Sequence, residues 1–319
     1  MDREAELAIV RQAYAKQVLV MAGVTDPKLC AAFAQVNRED FLGPGPWQIL
    51  RAFGGYTTTP DADPVYLYTN QPVGILPDRG INNGQPSLHA ILLAAANVNE
   101  GAHVVHVGVG TGYYSAIIAV LAGPGGRVTA IECDPQLAAQ ARECLAGFPN
   151  VHVIHGNGAA AIFDAADVIY VNAGVTHPMD AWLDGLADGG RLLLPLTTNE
   201  NFPAASRGFS DPSRIMQTKS RIMRSGLYFL IRRRKSTFEA RALCPVGMVP
   251  AEGVRSAAAD AALAAALDKG GWHTVTRLVR GESVPEDKCW LRGDSWCREG
   301  KENAPNTLIL EARVGIEPA

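Results

Sequence analysis

Apolar residues recur at helical spacing through the first part of the chain. Leu7, Val10, Tyr14, Val18 and Met21 line one face of residues 4–22, and Gly23 suits the stop. Asp26-Pro27 reads as an N-cap followed by proline at the first helical position. Leu29, Cys30, Phe33 and Val36 then supply the apolar face of a second helix. Gly43-Pro44-Gly45-Pro46 is loop. Residues 54–86, rich in Gly, Pro, Asn, Asp and Thr, are too polar for a core. A connection of that length is expected to be functional or poorly ordered. From Pro86 the pattern is helical again through Leu88, Ile91, Leu92, Ala95 and Ala96.

The period then alternates. Short Val/Ile/Leu-rich runs at 103–107, 127–132, 151–155, 167–172 and 191–196 predict strands, with helices over 113–122, 135–146 and 178–187. This order predicts an α/β fold, a Rossmann-like, doubly wound and mostly parallel sheet covered on both faces. Ligands of such sheets bind at the carboxyl edge of the strands. Gly108–Gly112, Glu132–Asp134, Gly156–Gly158 and Asn172–Gly174 are expected there. Residues 197–214 read as polar loop. Gly226–Arg232 and Thr237–Leu243 read as two strands joined by a charged turn, and an alanine-rich helix covers about 255–268. This part is expected to form a smaller α+β module.

Composition narrows the function classes. With 47% apolar and 19% charged residues and a net charge of −3, the chain is expected to be soluble and globular. It has no general attraction to nucleic acid or anionic membrane. No apolar run has the length of a membrane span, and residues 1–20 are not a signal peptide. The six scattered cysteines form no C-x-x-C pair, which points to a reducing cytoplasm and away from a metal site. The basic cluster Arg232-Arg233-Arg234-Lys235 reads as solvated edge protection, and Trp272, Trp290 and Trp296 as core of the last module.

The chemistry gathers around His106-Val107-Gly108-Val109-Gly110-Thr111-Gly112-Tyr113. A strand entering a glycine loop and then a helix brings backbone N–H groups close to a ligand. Glu132, twenty residues after Gly112 at the end of the next strand, suits the two hydroxyls of a ribose. The dinucleotide fingerprint wants a third glycine where this chain has Tyr113. The Gly108-x-Gly110-x-Gly112 spacing is instead the one common in methyltransferases.

Most of the first 200 residues resemble the protein-L-isoaspartate O-methyltransferases. The resemblance rests on Gln17-Val18-Leu19, Gly23-Val24-Thr25-Asp26-Pro27, Val36-Asn37-Arg38-Glu39-Asp40-Phe41, Gln85-Pro86 with His89-Ala90, Val107–Tyr113 and Gly189–Pro195. It implies S-adenosyl-L-methionine as cofactor and an isoaspartyl carboxylate in a protein or peptide as acceptor. It also divides the chain into N-terminal helices and substrate loop (1–80), a cofactor-binding core (81–200) and a C-terminal extension (201–319). His106, Gly108, Gly110, Gly112, Tyr113, Glu132, Cys133, Asn157, Gly158 and Asn172 are expected at the cofactor, and Asn83, Gly84 and His89 at the acceptor. Departures fall on polar positions. Gly84 stands for the family's serine, Asn70 for an aspartate, His106 for an acid before the glycine loop, and Asn157 for an aspartate after the third strand. Two alternatives stay open: a diverged methyltransferase acting on a dedicated peptide or small-molecule carboxylate, and a nucleoside-binding relative without turnover.

Overall fold

The computed structural model describes residues 2–51, 55–198, 226–280, 285, 288–293 and 308–312. By compactness the described residues form two units, the first running to Val168 and the second starting at Ile169. The boundaries expected at 80 and 200 do not coincide with this division.

The first unit opens with α1 (Arg3–Ala22) and α2 (Pro27–Gln35). Asp2 caps α1 by accepting from the Ala5 N–H, Gly23 closes it at φ +64°, and Asp26 caps α2 with Pro27 at the first position. Strands β1 (Gln48–Arg51) and β2 (Gly55–Thr58) pair antiparallel, as do the short β3 (Gly74–Leu76) and β4 (Ile81–Asn82).

Here the structure corrects the sequence expectation. Residues 55–86 are not wholly without a core, since Leu67 and Val73 are buried in a small cluster with Trp47, Leu42 and Ile49. The segment is ordered because its backbone carbonyls find a buried donor. Arg38, fully buried, donates to the carbonyls of Leu67, Thr69 and Gln71.

Next come α3 (Pro86–Ala96), β5 (His103–Val107), α4 (Tyr113–Ala122), β6 (Arg127–Glu132), α5 (Pro135–Cys144) and β7 (Val151–His155). β5, β6 and β7 are parallel, with Val104 opposite Val128 and Ala130 opposite Val153. All five residues of β5 are buried, which is why the run is nearly continuous in valine rather than alternating. Helix α4 is buried on almost every side, whereas α5 buries only Leu137, Ala138 and Ala141.

Strand β8 (Ala166–Val171) contains the unit boundary. In the second unit α6 (Asp180–Gly185) is shorter than expected, because β9 (Leu186–Thr197) begins directly after it and takes Asp188-Gly189-Gly190 into the strand. β10 (Gly226–Arg234) pairs antiparallel with β9 on one side and with β11 (Thr237–Pro245) on the other. Helix α7 (Ala257–Lys269), capped by Ser256, precedes β12 (Val275–Arg280), β13 (Cys289–Gly293) and β14 (Leu308–Ala312). β12 and β13 both pair with β14. Trp290 is buried against Phe229 and donates to the Gly270 carbonyl, so it is core as expected. Trp296 and most of the 197–214 stretch lie outside the described residues.

Candidate active site

The glycine loop follows β5 directly. The Gly108 N–H donates to the Ile131 carbonyl at 2.8 Å, keeping the loop over the end of β6. Gly112 caps α4 at φ +100°, and a Cβ there would come within 2.6 Å of Leu145 Cδ1, so only glycine fits. The Gly110 N–H donates to Oε2 of Glu132 at 2.8 Å, and the Asp134 N–H to Oε1 at 3.1 Å. The carboxylate is thus oriented by both its own strand end and the loop. Gly156, at the end of β7, donates to the Glu132 carbonyl at 2.9 Å, so the three strand ends are tied together. Gly158 packs where a Cβ would overlap Val107.

These residues fit a nucleoside cofactor carrying an amino-acid tail. Each carboxylate oxygen accepts two hydrogen bonds, so Glu132 Oε2 keeps room beside the Gly110 N–H for a ribose hydroxyl. Thr111 is 5% exposed and its hydroxyl has no hydrogen-bond partner among the described residues. A buried hydroxyl without a partner inside a ligand loop is the signature of a group that waits for one. In the sequence nothing separates Thr111 from a spacer between glycines, so it is not among the expected site residues.

Of the other expected cofactor residues, His106 and Tyr113 are buried, whereas Asn157 and Cys133 are exposed. His106 is fully buried, with Nδ1 2.8 Å from Ser115 Oγ, and burial pushes its pKa down to about 3. It is a neutral core residue beneath the loop. Tyr113 is buried among Tyr14, Phe41 and Tyr114, its hydroxyl 3.5 Å from that of Tyr14. It fills the space between α1, Phe41 and the start of α4. Asn157 is exposed, and its Oδ1 accepts from the Ala159 N–H at 2.9 Å in a local turn. Cys133 is exposed, its Sγ 3.6 Å from Glu132 Oε1.

Asn83, Gly84 and His89 are brought together at the start of α3. Asn83 Oδ1 accepts from the Val73 N–H at 2.8 Å and from Arg38 Nη2 at 3.1 Å. Gly84 has φ +74° and its carbonyl accepts from the Tyr114 hydroxyl at 3.5 Å. His89 stacks on Tyr114 with ring centroids 3.4 Å apart. Burial, with His106 and the Arg38 charge nearby, holds the His89 pKa well below the usual histidine value. Asn70 forms a reciprocal pair with Ser87, its Nδ2 donating to Oγ at 2.9 Å and its Oδ1 accepting from the N–H at 2.8 Å. It therefore latches the long loop to the first turn of α3. Arg38 and Tyr114 link these residues; in the sequence Arg38 stands out only as part of the Val36–Phe41 stretch, and Tyr114 as part of an apolar helix.

In the second unit Asn172 Oδ1 accepts from the Tyr228 hydroxyl at 3.1 Å. Thr176 Oγ1 lies 3.0 Å from His177 Nδ1, and burial holds His177 down to about 4, helped by the Arg255 charge. Arg255 donates to the carbonyls of Gly174 and Thr197 and pairs with Asp260 at 2.5 Å. No group of three or more His, Cys, Asp or Glu side chains suited to a metal ion occurs among the described residues. No helix among them is long and apolar enough to cross a membrane.

Comparison with known proteins gives the family. The family model described as protein-L-isoaspartate(D-aspartate) O-methyltransferase matches residues 12–223. The protein-L-isoaspartate O-methyltransferase of Picosynechococcus sp. is 33% identical over 193 residues, covering 59% of this chain and 77% of its own length. Protein-L-isoaspartate O-methyltransferase 1 of Rhodopseudomonas palustris is 32% identical over 204 residues, covering 63% and 74%. A Plasmodium falciparum chain, solved with S-adenosyl-L-homocysteine as a candidate protein-L-isoaspartate O-methyltransferase, superposes with TM-score 0.55 at 17% identity. That match covers 76% of this chain and 98% of the other, and it supports the Rossmann-like methyltransferase fold. Through the match over residues 12–223, the chain belongs to the protein-L-isoaspartate(D-aspartate) O-methyltransferase family.

Proposed function

We propose that this chain is an S-adenosyl-L-methionine-dependent carboxyl O-methyltransferase whose acceptor is the abnormal carboxylate of an isoaspartyl residue in a protein or peptide. The observation that carries the cofactor half is the Glu132 carboxylate held over the glycine loop by the Gly110 N–H. When bound, S-adenosyl-L-methionine supplies an electrophilic methyl carbon to an acceptor oxygen and departs as the thioether.

The acceptor is a carboxylate with an ordinary pKa of about 4, already ionised at neutral pH, so no protein group has to remove a proton. The negative charge on oxygen and the positive charge on sulfur disappear together as the C–O bond forms and the C–S bond breaks. What remains for the chain is alignment. Glu132 and the Gly108–Gly112 loop hold the nucleoside end, with Thr111 and Gly158 beside it. Asn83 and the backbone at Gly84 bind the acceptor carboxylate, and His89 closes the wall behind it. The buried histidines are neutral at pH 7, which suits a site where no proton moves. A reducing cytoplasm, where proteins age without secretion, is the compartment we assign to this activity.

The test is transfer of labelled methyl from S-adenosyl-L-methionine to an isoaspartyl peptide beside its normal aspartyl twin. Base-labile label on the isoaspartyl peptide alone is the expected result; binding of cofactor without transfer to it sinks the acceptor assignment. One observation favours a second reading, a dedicated carboxylate of different shape: His89 occupies the room that a side chain at position 84 would take. A wider panel of carboxylate acceptors separates the two.

A further inference from the structure

Arg38 is buried completely, yet among the described residues its guanidinium meets carbonyl and amide oxygens rather than a carboxylate. Its donors go to the carbonyls of Leu67, Thr69 (3.0 Å) and Gln71 (2.8 Å), and to Asn83 Oδ1 at 3.1 Å. The rings of Tyr14 and Tyr113 stand 5.9 and 6.0 Å from its central carbon, close enough for their faces to stabilise the charge. The planar fork of a guanidinium fixes the direction of the bonds it makes.

The consequence falls on Asn83. Its Oδ1 uses both lone pairs, one on Arg38 and one on the Val73 N–H, while the Asn83 backbone N–H donates to the Val73 carbonyl at 2.9 Å. The side-chain amide can therefore be placed in one sense only, with the NH2 turned away from Arg38. That Nδ2 is buried and has no hydrogen-bond partner among the described residues, although Asn83 is only 8% exposed. An oriented, buried amide donor left unpaired next to Gly84 costs stability for no structural return, which marks it as a ligand donor.

We propose that Arg38 is a positioning residue for the acceptor: it holds Asn83 Oδ1 so that the Asn83 Nδ2–H groups meet the acceptor carboxylate. The proposal rests on the methyl-transfer reading above. It also explains why residues 67–83 are fastened by the same guanidinium that orients Asn83, since one side chain sets both the loop and the donor at its end.

The isosteric change Asn83→Asp keeps an oxygen towards Arg38, replaces the donor by a second oxygen and sets like charge against the acceptor. We expect a folded protein with cofactor affinity within twofold of wild type, and kcat/KM for the isoaspartyl peptide lower by at least a hundredfold. Arg38→Lys tests the link. It should cost about tenfold or more in kcat/KM for the peptide in the wild-type background. In the Asn83→Ala background it should cost clearly less, because the part of its effect that runs through Asn83 is gone and only its hold on the loop carbonyls remains. Equal losses in both backgrounds, or Asn83→Asp with kcat/KM within threefold of wild type, overturn the proposal. Should Arg38→Lys fail to fold, the Asn83→Asp measurement decides. Wild-type protein that transfers nothing to the peptide removes the functional reading itself, a result distinct from active wild type with unaffected variants.

Discussion

The imidazole of His89 fills the space that a β-carbon on Gly84 would need. His89 lies flat on Tyr114, 3.4 Å between ring centroids and 6° from parallel, with Nε2 over the Gly84 backbone. Gly84 is at φ +74°, where a side chain costs about 1–2 kcal/mol even in open space. Gly84→Ser should therefore lose that amount plus about 1–3 kcal/mol for the overlap. In a His89→Ala background only the backbone cost should remain. Urea unfolding of the four proteins checks this; the same loss in both backgrounds would show that His89 is not what excludes the side chain.

Glu132 joins the glycine loop to the end of β6 and keeps capacity for a ribose hydroxyl. Glu132→Ala removes the acceptor of the Gly110 and Asp134 N–H groups together with that capacity. Cofactor binding, measured by calorimetry, should weaken by about 1.5–3 kcal/mol, the range for a hydrogen bond to a charged group. KM for the peptide at saturating cofactor should change little. A variant that binds cofactor as wild type does would remove Glu132 from the site.

Thr111 offers the opposite balance of stability and function. Its hydroxyl is buried and unpartnered, so the near-isosteric Thr111→Val relieves an unpaired group and should leave stability unchanged or raise it by up to about 1 kcal/mol. Cofactor affinity should fall at the same time. Thermal unfolding without ligand and a binding titration read the two effects separately, and a loss of stability with unchanged affinity would assign Thr111 to the core instead.

How far the sequence reveals this site depends on which interactions leave a trace along the chain. The glycine loop and Glu132 are legible because both stand at strand ends, and the strand–helix alternation places those ends on one edge. Asn83 is legible as a polar residue beside Gln85-Pro86. The anchoring of residues 67–71 is not, because it comes from Arg38 collecting backbone carbonyls, and carbonyls are the same in every residue. His106 misleads for a related reason. At the end of a strand it reads as facing the ligand, but β5 is buried on both sides and Ser115 of α4 supplies the partner that lets a histidine stay in the core. Tyr113 breaks the dinucleotide pattern correctly, yet its own contacts are with Tyr14 and Phe41 rather than a ligand.

His106 also sets a pH limit on stability. Its pKa is about 3 in the folded chain because of burial, against about 6.5 when unfolded. Between those values the unfolded chain binds the extra proton, so stability rises with pH across the window. The contribution is fully present above about pH 6.5 and is lost progressively as pH falls towards 3. Each such histidine adds at most about 1.4 kcal/mol per pH unit to the slope. His89 is shifted in the same direction and acts with the same sign. Carboxylates titrate there too, so the informative quantity is the difference between wild type and His106→Asn, which cannot take up that proton. The slope of unfolding free energy against pH, from urea titrations at pH 5.5, 5.0 and 4.5, should be shallower in the variant by close to one proton. Parallel slopes would mean that His106 is already protonated in the folded chain, and that the glycine loop rests on a charge rather than on a neutral core.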